Sequence, residues 1–275
     1  MSQYEQKLKQ IRHVTLDMDG TIYKGSTLFE FTQPFLQQLQ NLGIGYTFLT
    51  NNSSKSVKDY VISLNDMGVH ASEDQIFTST LCAIDYLRDE FPLIRHLYVL
   101  GTQSLREEFR KYGFDVVEEN QEPEAVIVGF DTSLVYERLC RASWWISQGK
   151  TFIATHPDFT CPTDQPTVLV DCGSFCRCIE AATGVTPHAV LGKPDHRMLT
   201  GILKRHNLEP NELAMCGDRI YTDMAMARSA RCLGVLALTG EATEEDAVKC
   251  APHPDLVVPN LEIFGKLLAA AQQNE

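Results

Sequence analysis

The chain has 275 residues, 44% of them hydrophobic and 22% charged, which suits one large folded domain or two modest ones and excludes a disordered chain. Its formal net charge of −12 argues against nucleic acid as a partner, because a phosphate backbone is bound by clustered Lys and Arg; a small phosphorylated molecule stays open, since a metal ion and a few cations supply local positive charge. No apolar run is long enough to span a membrane, and the opening MSQYEQKLKQIRHV lacks the apolar centre of a signal peptide, so a cytoplasmic protein with no membrane partner is expected.

In chain order, HVTL predicts a strand ending at Asp17, with Asp19 one residue beyond Met18 and Gly20 and Thr21 after it. Period-two alternation sends both carboxylates to one side, where a divalent cation would relieve their repulsion. The bland alternative is a capped Asp-Gly turn. A helix follows over TQPFLQQLQNLG, with Thr32 as cap, Pro34 in the first turn, Phe35, Leu36, Leu39 and Leu42 on one face, and Gly43 as its stop. GYTFLT predicts the next strand, ending at Thr50. The polar run NNSSKS then leads into a helix with Val57, Tyr60, Val61 and Leu64 as its stripe. Hydroxyls, amides and a helix start suit an anion, or serve only as helix caps.

The runs LYVLG, AVIVGF, TFIAT and TVLV each have the length of a buried strand. Between them, SLVYERLCRASWWISQG spaces Leu134, Val135, Leu139 and Trp145 for a buried helix face. Further on, Lys193 stands between Gly192 and Pro194, ahead of a helix with Met198, Leu199, Ile202 and Leu203 on one face. A Lys held there neutralises a phosphoryl oxygen, or is simply solvated. The run ELAMCGD ends at Asp218, and Asp223 stands beside the next helix start, where the helix dipole alone would favour an acid. GVLALTG predicts one more strand. Alternating strands and helices imply parallel sheets with right-handed crossovers, whose ligands bind beyond the carboxyl ends of the strands. Asp17, Thr50 and Asp218 all fall at such ends. Nine Cys, an odd number without regular spacing, read as reduced thiols; Cys161, Cys172, Cys176 and Cys178 with His156 would make a zinc site only with a non-standard spacing.

The ordered set DMDGT, LTNN, GKP and GDRIYTD, each at a strand-loop-helix junction, resembles the haloacid dehalogenase-like superfamily of phosphohydrolases. DMDGTIY and TNN resemble its subfamily of NagD and 4-nitrophenyl phosphatases, which includes phosphoglycolate and pyridoxal phosphate phosphatases. The resemblance implies a Rossmann-like doubly wound parallel-sheet α/β core, residues 1–80 and 186–275, with an inserted α/β cap domain over 81–185. It implies Mg²⁺-dependent hydrolysis of small-molecule phosphate monoesters through an aspartyl-phosphate. Asp17 is then the nucleophile and Asp19 the acid-base, while Thr50 and Lys193 hold phosphoryl oxygens. Asp17 and Asp218 are metal ligands, with Asp19 through its carbonyl and Asp223 through bound waters. Gly20, Asn51 and Asn52 shape the substrate pocket, and His156, Asp158 and the loop around Phe175 and Arg177 are cap contacts to the leaving group. The subfamily often forms homodimers. Two departures fall in the cap: His156 stands where Asn is usual, and VDCGSFCRC replaces a stretch richer in Gly and Ala.

A dehalogenase is disfavoured because Asp19 is present. A phosphonate hydrolase would need a Schiff-base Lys in the cap, where Lys111 and Lys150 stand in helix-like or turn contexts. A phosphomutase on the same core and a non-catalytic phosphate-binding module are the alternatives.

Overall fold

The computed structural model describes residues 3–118, 121–163 and 165–273. The chain divides into two compact units. One comprises Met1–Leu49, Leu64–Ile76 and Pro194–Glu275; the other comprises Thr50–Ser63 and Phe77–Lys193. Compared with an insert over 81–185, the second unit also takes up 50–63, 77–80 and 186–193.

The first unit is built on a six-stranded sheet in the order Leu256–Val258, Leu233–Ala237, Leu213–Gly217, His13–Asp17, Gly45–Thr50, Ile76–Thr78. His13–Asp17 pairs in parallel with strands on both sides, Leu16 facing Cys216 and Asp17 facing Leu49. It is therefore the strand at which the order reverses, where such sheets open a crevice at their carboxyl ends. Every residue of His13–Asp17, Leu213–Gly217 and Leu233–Ala237 is buried, so both faces of the sheet are covered, as a parallel sheet requires. In the helix Thr32–Asn41, Phe35, Leu36 and Leu39 are buried, and the Phe35 ring lies 6.0 Å from that of Phe264 in Leu261–Gln273. Thr32 is not the cap: Phe31 takes that position, and the Thr32 hydroxyl donates to the Ile22 carbonyl at 2.7 Å. Gly43 adopts φ +67°, which only a residue without Cβ enters without strain. At the amino end of the sheet, His13 is buried, its Nε2 hydrogen-bonded with Thr47 Oγ1 at 2.9 Å and its ring stacked 4.2 Å from His206. Burial and the neighbouring His206 push its pKa down to about 3.

The second unit carries a five-stranded parallel sheet in the order Ala189–Val190, Thr151–Ala154, Ala125–Val128, His96–Leu100, Asp115–Val116. Its core gathers Leu100, Val126, Val128, Ile146, Phe152 and Ile179. Three expectations are corrected here. Val135 precedes the helix Tyr136–Ser147 and is half exposed; Ala142 and Ile146 form the buried face, with Leu134, Leu139 and Trp145 packed beside it. Phe175 lies in the helix Cys172–Thr183 rather than in a loop, and is a buried core residue. Within TVLV only Leu169–Val170 is strand, paired antiparallel with Thr160–Cys161, and Val168 and Val170 are exposed because a two-residue ribbon has no sheet to cover it. No helix among the described residues is long and apolar enough to cross a membrane.

Candidate active site

In the first unit, three carboxylates meet at the carboxyl ends of adjacent strands. Asp17 ends its strand, Asp218 follows Leu213–Gly217, and Asp223 lies in the single π turn Ile220–Met224. All three are buried, and one oxygen of each lies within 4.8 Å of the others. Two of them are oriented by backbone donors: Glu241 N–H donates to Asp218 Oδ2 at 2.7 Å, and Arg219 N–H to Asp223 Oδ2 at 3.2 Å. Glycines let the chain close on these groups. A Cβ at Gly240 would sit 2.0 Å from Asp218 Oδ2, and one at Gly217 would sit 2.3 Å from the Asp223 carboxylate. Gly20, at φ +83°, leaves room for the same Asp218 oxygen, which a Cβ would approach to 2.5 Å. The turn it makes is tied back by Gly20 N–H donating to Tyr23 O at 2.8 Å.

Asp19 has different surroundings. Its side chain is exposed and does not belong to the group of three. Desolvation by the surrounding protein raises its pKa above the ordinary carboxylate value, and the Asp17 charge adds to this; the Gly25 and Gly20 backbone and Arg219 pull the other way. Two acids one residue apart thus have unlike tasks open to them.

Arg219 was passed over in the sequence, although it directly follows Asp218. Burial disfavours its charge, but Asp17 and Asp218 outweigh that and hold the guanidinium firmly protonated; its Nε lies 3.0 Å from Glu241 Oε2. It is a resident cation beside the carboxylates.

In the second unit, the polar loop after Gly45–Thr50 is a connected assembly. Thr50 Oγ1 accepts from Asn52 N–H at 3.2 Å. Asn52 Oδ1 accepts from the N–H and hydroxyl of Ser54 at 2.9 and 2.7 Å, an Asx turn that shapes the loop. Asn51 is buried and grips the backbone of Lys193 from both sides: its Oδ1 accepts from Lys193 N–H at 2.6 Å, and its Nδ2 donates to Lys193 O at 3.0 Å. The same Nδ2 donates to Asp158 Oδ2 at 3.0 Å. Lys193 itself is buried, so the reading of a solvated loop Lys does not hold.

His156, expected as a substrate contact, is wholly buried with both ring nitrogens engaged, Nε2 with Asp171 Oδ1 at 2.8 Å and Nδ1 with Thr155 Oγ1 at 2.9 Å. Burial alone would lower its pKa; Cys172 and the Asp171 carboxylate outweigh this and raise it to about 9. Asp171 was not singled out in the sequence, because its partner lies fifteen residues away. The cysteines make no zinc site: Cys172 and Cys176 are buried, Cys178 is exposed, and the metal-capable groups among the described residues contain no Cys. Arg177 is exposed and paired with Glu180 at 2.6 Å. Lys150 pairs with Glu122, and Lys111 lies over the Tyr112 ring, so neither stands as a Schiff-base Lys.

A family model for haloacid dehalogenase-like hydrolases matches residues 14–115, and a HAD-hydrolase-like model matches 190–263. The structure is similar to that of a 4-nitrophenylphosphatase from Thermotoga maritima, with a TM-score of 0.89 and 37% identity over 94% of this chain and 98% of that one. It is also similar to NagD from E. coli K-12, with a TM-score of 0.83 and 26% identity over 92% of this chain and 97% of that one. An acid sugar phosphatase of Staphylococcus aureus is 29% identical over 239 residues, 87% of this chain and 91% of that protein. Matched at both ends by the family and nearly end to end by its solved members, the chain belongs to the haloacid dehalogenase-like hydrolases and, among them, to the NagD- and 4-nitrophenylphosphatase-like phosphatases.

Proposed function

We propose that the protein hydrolyses phosphate monoesters of small metabolites, with Asp17 as nucleophile and Mg²⁺ as cofactor. The observation that carries this reading is the gathering of Asp17, Asp218 and Asp223 within 4.8 Å while Asp19 stays outside the group with a raised pKa. Three buried carboxylates so close repel one another unless a cation joins them. Their all-oxygen donor set suits a hard divalent ion. Asp17 and Asp218 would hold it by carboxylate oxygens, Asp19 by its backbone carbonyl and Asp223 through bound water. Mg²⁺ bound there supplies positive charge against the carboxylates and the transferring phosphoryl group.

In this reading an Asp17 oxygen attacks phosphorus in line, and the ester oxygen leaves with the bonding electron pair. Asp19 gives that oxygen its proton; desolvation and the neighbouring Asp17 charge favour its protonated form. The Asp19 carboxylate then takes a proton from water. The water oxygen attacks phosphorus, the bond to Asp17 breaks, and inorganic phosphate leaves. The Thr50 hydroxyl, the Lys193 ammonium and nearby backbone N–H groups hold the other phosphoryl oxygens, with Gly20, Asn51 and Asn52 shaping their surroundings. Asp158 acts through Asn51, and His156 acts at one further remove.

The test is phosphate release from a panel of small esters, including sugar phosphates and 4-nitrophenyl phosphate, with Mg²⁺ and with EDTA. Wild type is expected to turn over with Mg²⁺ only, and Asp17→Asn to lose turnover on every ester. Turnover in EDTA, or in Asp17→Asn, would sink the mechanism.

A further inference from the structure

His156 lies at the meeting of four chain segments in the second unit. Its Nε2 reaches Asp171 Oδ1 at 2.8 Å, and the same oxygen accepts from Cys172 N–H at 2.6 Å, so Asp171 both caps the helix Cys172–Thr183 and anchors the imidazole. On the other side, Nδ1 meets Thr155 Oγ1 at 2.9 Å. Thr155 Oγ1 also lies 3.1 Å from Ser53 Oγ in the polar loop and 3.8 Å from Cys172 Sγ. With its pKa raised to about 9, the imidazole favours its charged form beside the Asp171 carboxylate, and the two make a buried ion pair. The helix also closes on the turn after His156: Gly173 N–H donates to Asp158 O at 2.8 Å, and a Cβ at Gly173 would sit 2.1 Å from Pro157 O. The loop before Lys193 rests on the same residue. Gly192, at φ +74°, would bring a Cβ within 2.7 Å of both His156 Cβ and Asn51 Oδ1.

Asp158 is the link from this hub to Asn51. A carboxamide gripping a backbone N–H and C=O must face them the right way round, and reversing it sets donor against donor. Asp158 Oδ2 accepts only from Nδ2, so it selects the orientation in which Asn51 Oδ1 faces Lys193 N–H. His156, Asp158 and Asp171 also have donor atoms within 4.8 Å of one another, as metal ligands would. Asp171 Oδ1, however, already accepts two hydrogen bonds.

We infer that His156 and Asp171 are positioning residues: their buried ion pair pins the turn that carries Asp158, and through Asp158 and Asn51 it sets the position of Lys193. This rests on the phosphatase reading, in which Lys193 holds a phosphoryl oxygen.

The test compares His156→Asn, Asp158→Ala and Lys193→Ala with the double variants His156→Asn/Lys193→Ala and Asp158→Ala/Lys193→Ala, each checked for folding by circular dichroism. kcat and KM are measured with Mg²⁺ on the best ester, and binding of inorganic phosphate by calorimetry. His156→Asn and Asp158→Ala are each expected to lower kcat/KM roughly tenfold. In the Lys193→Ala background their further effect is expected to shrink to less than about twofold, because residues acting through one group are not additive. Phosphate affinity is expected to follow the same pattern. An undiminished loss in the Lys193→Ala background overturns the inference, as does an unchanged kcat/KM in either folded single variant. If burial at residue 156 prevents folding of His156→Asn, Asp171→Asn, which keeps the size of the side chain and removes its charge, takes its place with the same expected and overturning results. A wild type that releases no phosphate from any ester, or a Lys193→Ala as active as wild type, defeats the phosphatase reading and the inference with it.

Discussion

At the scale of single residues, what separates Asp17 from Asp19 is surroundings rather than chemistry. One is buried with two other carboxylates; the other is exposed, and desolvation by the surrounding protein raises its pKa. Asp19→Asn is therefore expected to leave stability within about 0.5 kcal/mol of wild type, as for an exposed substitution, while kcat falls about 10²-fold or more. Thermal melts and steady-state kinetics on one preparation check both; a kcat within threefold or so of wild type would remove Asp19 from the proton path. The meeting of Asp17 and Asp218 at the carboxyl ends of strands was legible because both close apolar runs, whereas the Asp17 and Asp19 pair by itself read equally well as a capped turn. Arg219, Asp171 and Ser53 were not legible, because their meaning depends on neighbours that only the folded chain supplies. Thr155 and Ser53, for example, are 102 positions apart.

At the scale of elements, the strands that sequence patterning found are those with four or more residues and β-branched or large apolar side chains, such as His13–Asp17, Gly45–Thr50 and Ala125–Val128. Those it missed, among them Ile76–Thr78, Asp115–Val116, Thr160–Cys161, Ala189–Val190 and Leu256–Val258, span two or three residues and have no period to read. Helix stops at Gly were more legible than helix starts, because a left-handed φ strongly favours Gly, although Asn207 and Arg231 also adopt it, whereas several residue types cap equally well. Thr32 fails as a cap, and Thr102, which the sequence did not single out, is one: its Oγ1 accepts from Leu105 N–H at 3.2 Å and its hydroxyl donates to Ser54 O at 2.7 Å. It therefore ties the helix Gln103–Lys111 to the loop that holds Asn51 and Asn52. Thr102→Ala is expected to cost about 1 kcal/mol, the ordinary worth of a cap, in chemical denaturation. It should also raise KM for the best ester, whereas a cap with no hold on the loop would change stability alone.

At the scale of the whole molecule, acid is the expected route to instability. His13 is held neutral with a pKa near 3, well below the ordinary 6.5, so the unfolded chain binds the extra proton between those values. The stability this neutrality preserves is complete above about pH 6.5 and is lost as pH falls toward 3, by at most about 1.4 kcal/mol per pH unit. Denaturant midpoints at pH 7.5 and pH 5 should therefore separate in wild type and draw together in His13→Gln; equal separation in the two would assign acid lability to other groups. A net charge of −12 does not obscure the comparison, since both proteins carry the same carboxylates.

Gly217 and Gly240 carry a lesson for genetics. Neither offers an atom to the reaction, yet a methyl group at either would fall within 2.3 Å of Asp223 or 2.0 Å of Asp218. Scored by growth or turnover, a library of single substitutions would rank these two among the least replaceable positions, beside the acids they accommodate. Intolerance there measures the space that the carboxylates occupy.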